Sequence, residues 1–207
     1  EDFVKEVDDV RYSTAIRYGS PHEAIRSYAS ENDIDLITMG TVGRTGVDRF
    51  LLGSVAERMV RASPVPVLTT NQDTPGEPVE YDTVLIPTDG SSAAEVVSDH
   101  GLSIADHLDA SIKVLAVIGT GEGLPSPSDP SRKEAEDAVD AIAQKATQRG
   151  LEASTYVQTG TPYRRIREFI GAHGVDLVAM GKHSRAAIKR HLIGSVTEKI
   201  IRTSEVP

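Results

Sequence analysis

Between positions 81 and 180, short apolar runs alternate with segments in which apolar residues recur every three or four positions. Val84-Leu85-Ile86-Pro87-Thr88 is one such run. It ends in Asp89-Gly90-Ser91-Ser92, a turn and helix-start cluster, so a strand is predicted to lead into a helix. That helix covers roughly Ala93 to Leu108, with Val96, Val97, Leu102, Ile104, Ala105 and Leu108 at helical spacing. The pattern then predicts a strand at Ile112 to Ile118, a helix from about Ser131 to Arg149 and a strand from about Glu152 to Gln158. A helix from Pro162 to His173 and a strand from Val175 to Met180 follow. The last strand is apolar almost throughout, as expected for a parallel strand buried on both faces. Gly119 to Pro130, rich in Gly, Pro and Ser, is expected to be a mobile loop. Strands alternating with helices predict an open parallel α/β sheet with right-handed crossovers.

The same pattern occurs twice. Gly40, Gly43 and Gly53-Ser54 form a G-x2-G-x9-G-S motif, and 141 positions later (from Gly40 to Gly181) stand Gly181, Ser184 and Gly194-Ser195. At this offset Gly19 also falls on Gly160, Pro21 on Pro162, Ile25 on Ile166, Arg26 on Arg167, Met39 on Met180, Glu57 on Glu198 and Pro66 on Pro207. A period this long predicts two structural domains rather than a solenoid, whose units are about 20–50 residues. The expected division is residues 1–70 for the later part of a first domain, 71–80 for a linker containing Pro75, Gly76 and Pro78, and 81–207 for a second domain. Glu1 aligns with Ile142, and nothing after Pro207 matches Val67-Leu68-Thr69. The expectation is therefore a longer two-domain protein cut at both ends, the alternative being an oligomer that completes its sheets in trans.

Composition narrows the chemistry. The 207 residues are 39% hydrophobic, enough for ordinary cores, and no apolar run approaches the roughly 18 residues of a membrane span. The start, Glu1-Asp2-Phe3-Val4-Lys5, lacks the basic and apolar features of a secretory signal, so a cytoplasmic protein is expected. The absence of cysteine excludes thiolate nucleophiles, Fe–S clusters, thiolate zinc sites and disulfides. A net charge of −9 and 4% aromatic residues disfavour a nucleic-acid surface, which needs a basic face and stacking rings.

Each glycine motif begins where an apolar strand ends and finishes at a helix start. Glycines at the carboxyl edge of a parallel sheet let a ligand approach the backbone, and the free amides and positive end of the following helix favour an anion. Ser54-x-x-Glu57 and Ser195-x-x-Glu198 also match a capping box, in which the serines only close helix ends. Asp89 sits on the same edge and suits either a nucleoside's hydroxyl or amino groups or a simple turn. Lys182, His183, Arg185, Lys189, Arg190 and His191 place cations beside the second motif in an otherwise acidic chain. His183 has no paired nucleophile or metal-ligand spacing beside it.

Val84 to Ser91, then Val117, then Met180-Gly181 through Gly194-Ser195-Val196-Thr197-Glu198 resemble a universal stress protein domain, here in tandem. The resemblance covers the second copy up to Pro207 and the later half of the first. It implies tandem Rossmann-like sheets of the adenine nucleotide alpha hydrolase type. It further implies that the first-strand aspartate, Asp89, and the residue ending the second strand, Val117, contact adenosine, while the glycine loop and the Ser195-Val196-Thr197 helix start hold phosphates; Pro87, Thr88, Met180, Gly181, Ser184 and Gly194 complete the matched site positions, with Gly40, Gly43, Gly53 and Ser54 as the first copy's loop. The second copy departs from the family pattern at Ser184, where the first has Gly43. The expected function is binding of ATP or a related adenine nucleotide, with Mg²⁺ accompanying the phosphates, in a stress-response sensor or regulator. The alternative is a dimerisation scaffold of the same fold with little nucleotide affinity. No catalytic residue is expected: the chain lacks G-x-x-x-x-G-K-[ST] and has no clear general base near the loop. The expected partners are the nucleotide and either a second copy or the neighbouring domain of the same chain, without nucleic acid or membrane.

Overall fold

The computed structural model describes residues 11–41, 52–70, 80–119, 130–182 and 193–207. In chain order the elements are α1 (Pro21–Glu31), β1 (Ile37–Gly40), α2 (Ser54–Ala62), β2 (Val67–Thr70), β3 (Thr83–Thr88), α3 (Ser92–Leu108), β4 (Ser111–Ile118), α4 (Pro130–Gln148), β5 (Ala153–Thr159), α5 (Pro162–Ala172), β6 (Leu177–Val178) and α6 (Ser195–Thr203). All strand pairing among the described residues is parallel. β1 and β2 form one sheet, and the other has the order β5-β4-β3-β6. α1 and α5, like α2 and α6, are separated by the offset of the sequence repeat. Residues 71–79 of the predicted linker (71–80) and 120–129 of the predicted loop (Gly119 to Pro130) lie outside the described residues, and Pro130 already opens α4.

Alternation along the central strands divides the larger core between the two sheet faces. Val84 and Ile86 of β3, with Ile112, Val114 and Ala116 of β4, pack against Leu102 of α3 and Val139 and Ile142 of α4. Leu85 and Leu115 point the other way, onto Ile166 and Phe169 of α5 and Ile200 of α6. Helices thus cover both faces, which is why β3 reads as a continuous apolar run rather than an alternating one. α3 comes unusually close to the sheet at Gly101, where an added Cβ would stand 2.9 Å from the Ala179 Cβ.

The strand expected over Val175 to Met180 is shorter in the structure. Only Leu177 and Val178 pair with β3, opposite Val84 and Leu85, although the Ala179 amide still donates to the Leu85 carbonyl at 2.9 Å. Burial on both faces holds for Val175 and Leu177 but not for Val178, Ala179 and Met180, which are half-buried. These three line a largely apolar cavity of about 330 Å³, whose opposite wall includes Val65 and Leu68 of the first copy. On this side of β6 the Val178 amide donates to the Pro207 carbonyl at 2.9 Å, just as the Ile37 amide of β1 donates to the Pro66 carbonyl at 3.1 Å. Leu68 also packs against the core beneath α3, so the two sheets share apolar contact.

Candidate functional site at the carboxyl edge of the larger sheet

From β3 the chain passes through α3 to β4 on one flank, whereas β6, reached from β5, lies on the other flank of β3. Between β3 and β6 the winding direction therefore switches, and ligands of open parallel sheets bind at such a crevice outside the strand ends. Asp89 follows β3 and Gly181 follows β6, so the two flank the switch point.

The β3 side of the crevice is ordered by local hydrogen bonds. Asp89 is exposed and its Oδ1 accepts from the Ser91 amide at 3.0 Å, while Thr88 Oγ1 accepts from the Gly90 amide at 3.1 Å. Gly90 has φ of +69°, a conformation that suits residues without a Cβ. Ser91, and not Asp89, caps α3: its Oγ accepts from the Ala94 amide at 3.2 Å. Asp89 thus performs the turn role left open by its sequence, with its carboxylate at the mouth of the crevice. Pro87, Val117 and Met180 are half-buried, and Val117 and Met180 pack against the core under α5 and α6.

The β6 side meets the start of α6. The Gly194 amide donates to the Lys182 carbonyl at 2.7 Å, and Thr197 Oγ1 donates to the Gly181 carbonyl at 2.7 Å. Both ends of the predicted phosphate loop are therefore clamped together, although its middle, including Ser184, Lys189, Arg190 and His191, lies outside the described residues. So does Gly43 in the first copy.

The capping-box alternative does not hold at either helix start. Gly194 occupies the N-cap position, with φ −60° and ψ 140°, and no side chain caps the helix. Ser195 is already the first helical residue, one position too far along to close the end. Glu198 pairs instead with Arg202 at 2.6 Å. The first helical backbone bond runs from the Glu198 amide to the Gly194 carbonyl at 2.9 Å, leaving the amides of Ser195, Val196 and Thr197 without an intrahelical acceptor. Ser195 is exposed, with no hydrogen-bond partner for its hydroxyl among the described residues. Three unclaimed amides, a hydroxyl and the positive end of a helix fit a bound anion.

The first copy repeats this end almost unchanged. Gly53 is the N-cap at φ −60° and ψ 143°, its amide donates to the Thr41 carbonyl at 2.7 Å, Ser54 is exposed, and Glu57 pairs with Arg61 at 2.5 Å. One expected cation is not directed at the second loop: Lys182 Nζ donates to the Arg61 carbonyl near the end of α2 at 3.2 Å, joining the copies. Nothing in the local sequence of Lys182 signals that contact, because its acceptor is a backbone group 121 residues away.

Compared with models of known protein families, the chain matches the Universal stress protein family over residues 1–71 and 80–207. It belongs to the universal stress protein family. A universal stress protein of Methanocaldococcus jannaschii is 29% identical over 135 residues, covering 61% of this chain and 79% of the relative. One from Synechocystis is 25% identical over 183 residues, covering 86% of this chain and 58% of the relative. Among solved structures, a universal stress protein from Archaeoglobus fulgidus superposes with a TM-score of 0.69 at 23% identity, covering 91% of this chain and 65% of that one. At this identity the likeness concerns the fold, and it supports the α/β architecture of two parallel sheets. The chain thus spans about two thirds or less of these two longer relatives. A further universal stress protein, solved in complex with cAMP, has a TM-score of 0.50 at 19% identity over 62% of this chain and 95% of that one.

Proposed function

We propose that this universal stress protein binds ATP or a related adenine nucleotide at the crevice between β3 and β6 and uses it as a stress-response signal. The reading rests above all on the uncapped start of α6, with three free amides and the exposed Ser195 hydroxyl across the topological switch from Asp89. Phosphates would lie against Gly181, Gly194, Ser195, Val196 and Thr197, where the helix end and its free amides supply positive potential. Asp89, as an acceptor at the end of β3, would receive hydrogen bonds from the nucleoside, against a floor of Pro87, Thr88, Val117 and Met180. Nucleotide binding by a member of the family is recorded for the cAMP complex, and supports an adenine nucleotide here.

ATP acts here as a ligand that biases loop order or the association of the two copies, and the reading needs no hydrolysis. A Mg²⁺ ion arriving with ATP would be held chiefly through the phosphates, since no group of three His, Cys, Asp or Glu among the described residues is placed to hold one. No helix among them is long and apolar enough to cross a membrane. We read the protein as a cytoplasmic, non-enzymatic regulator, with the division into residues 1–70 and 81–207 as its two domains. The scaffold alternative draws on the contact between the copies through Leu68 and Lys182.

Calorimetric titration of ATP into the purified chain, with and without Mg²⁺ and alongside Asp89→Ala, tests the proposal. Binding that is lost in Asp89→Ala supports the nucleotide sensor. A folded chain that takes up no adenine nucleotide overturns it in favour of the scaffold.

A further inference from the structure

Away from the crevice, α5 and α6 lie against one another and bring together two pairs of residues spaced four apart: Tyr163 with Arg167, and Lys199 with Thr203. Residues at this spacing share a helix face. Tyr163 Oη and Thr203 Oγ1 are 3.2 Å apart, and Lys199 Nζ stands 5.6 Å from the centroid of the Tyr163 ring. Thr203 Oγ1 also donates to the Lys199 carbonyl at 2.8 Å, which fixes its position. The hydrogen bond with the Thr203 hydroxyl, and after it the hydrogen bond and charge of Arg167 and the charge of Lys199, draw the Tyr163 phenol below its ordinary value of 10.0 against the opposing effect of burial.

Arg164, Arg167 and Lys199 are all exposed, and none has a carboxylate partner among the described residues. The neighbouring acids are already engaged, Glu168 by Arg165 at 2.9 Å and Glu198 by Arg202 at 2.6 Å. A chain with a net charge of −9 has carboxylates to spare, yet these three cations are left unneutralised on one face. The corresponding face of the first copy keeps two of the cations, Arg26 and Arg58, but has His22 for Tyr163, Glu23 for Arg164 and Ala62 for Thr203. There Arg58 Nη1 lies 3.5 Å from His22 Nδ1.

We propose that the α5–α6 face formed by Tyr163, Arg164, Arg167 and Lys199 docks a short acidic segment of a partner protein. Arg and Tyr are the side chains most often found to anchor interfaces, because each adds large contact area to a polar tip. Along an extended segment, alternate side chains on one side recur about every 7 Å, a reach comparable with the spread of cations over one to two helical turns. Carboxylates of the segment accept from the two guanidinium groups and the ammonium, and the Tyr163 hydroxyl, which donates to Thr203 Oγ1 in the free chain, turns to donate to one of them. Three cations suit a short segment; a nucleic acid would bring many phosphates against an acidic protein. The face lies outside the nucleotide crevice and does not depend on occupancy there.

Fluorescence anisotropy with a labelled hexaglutamate peptide tests this on the full chain, with hexaglutamine as the uncharged control. Hexaglutamate is expected to bind, with affinity falling as salt rises, and hexaglutamine is not. The double change Arg167→Gln with Lys199→Gln should weaken binding at least about tenfold, and Tyr163→Phe should weaken it less. Arg167→Lys should restore part of the loss, and Arg26→Gln with Arg58→Gln should leave affinity within about twofold. Circular dichroism melts confirm that the exposed-residue variants fold. Absence of hexaglutamate binding, equal binding of the neutral peptide, or equal losses from the first-copy and second-copy pairs would each overturn the proposal.

Discussion

The two copies share helix lengths, cap geometry and even the Glu–Arg pair behind the cap, yet they differ in what surrounds those helices. α5 packs on β4, β5 and α6, and its Ile166 and Phe169 are buried. In α1 the matching Ile25 and Tyr28 are only half-buried, and its principal helical neighbour is α2. Phe169 is additionally stacked on His173 at 3.7 Å and meets Tyr156 edge-on at 4.8 Å, and Asn32 stands where His173 would be in the first copy. Near-identical local patterns thus accompany different burial among the described residues. Burial is set by the covering elements and not by the helix itself.

The site halves divide the same way. Uncapped helix starts occur in both copies, because Gly-Ser before an amphipathic run needs only local sequence. An aspartate at a strand end beside such a start is found, among the described residues, only in the second copy. Thr197 adds a hydroxyl brace to the Gly181 carbonyl that Ala56, its counterpart, has no atom to make.

The largest difference between the copies should appear in stability. Phe169→Ala is expected to cost about 3–5 kcal/mol, as for other buried aromatic side chains, and Tyr28→Ala about 1 kcal/mol. Urea unfolding followed by circular dichroism measures both, and similar costs would mean that the two helices are equally packed in solution. Next in size is ligand affinity. Gly194→Val, which places a branched side chain at the phosphate approach, should weaken ATP binding at least tenfold, about 1.4 kcal/mol, with little change in melting temperature. Gly53→Val should leave affinity nearly unchanged; equal losses in calorimetry would show that both helix starts hold nucleotide.

A smaller effect is expected at the brace. Thr197→Ala makes the second copy resemble the first and should destabilise it by about 1 kcal/mol through loss of the bond to the Gly181 carbonyl. An unchanged urea midpoint would show that water replaces the hydroxyl at no cost. Smallest is the titration of Tyr163. Its phenol should ionise below 10.0 in the folded chain and move up toward that value in Thr203→Val, as followed by phenolate absorbance. Because the folded value is the lower one, its contribution to stability is complete above the unfolded value and disappears as pH falls through the folded one. Unaltered absorbance in the variant would break the link between the two hydroxyls.

Much of this protein was legible in its sequence for reasons of short range. Apolar runs between helical periods marked β3 and β4 to within one position, since helices bury both faces of these central strands, and the more polar, half-buried edge strand β5 was placed to within one position by its place between two helical periods. The repeat placed the glycine motifs at strand ends and helix starts, and the resemblance carried by Asp89 and Gly194-Ser195-Val196-Thr197 pointed to the family. Sequence alone could not choose between a capping serine and a free one. That choice depends on a single position, whether Gly194 or Ser195 is the last residue outside the helix, and the Gly194–Lys182 and Thr197–Gly181 bonds settle the geometry. The link from Lys182 to Arg61 and the convergence of Tyr163, Arg167, Lys199 and Thr203 are likewise tertiary facts. Periodicity reports which face of an element is apolar; only packing decides what that face, and the charges beside it, will meet.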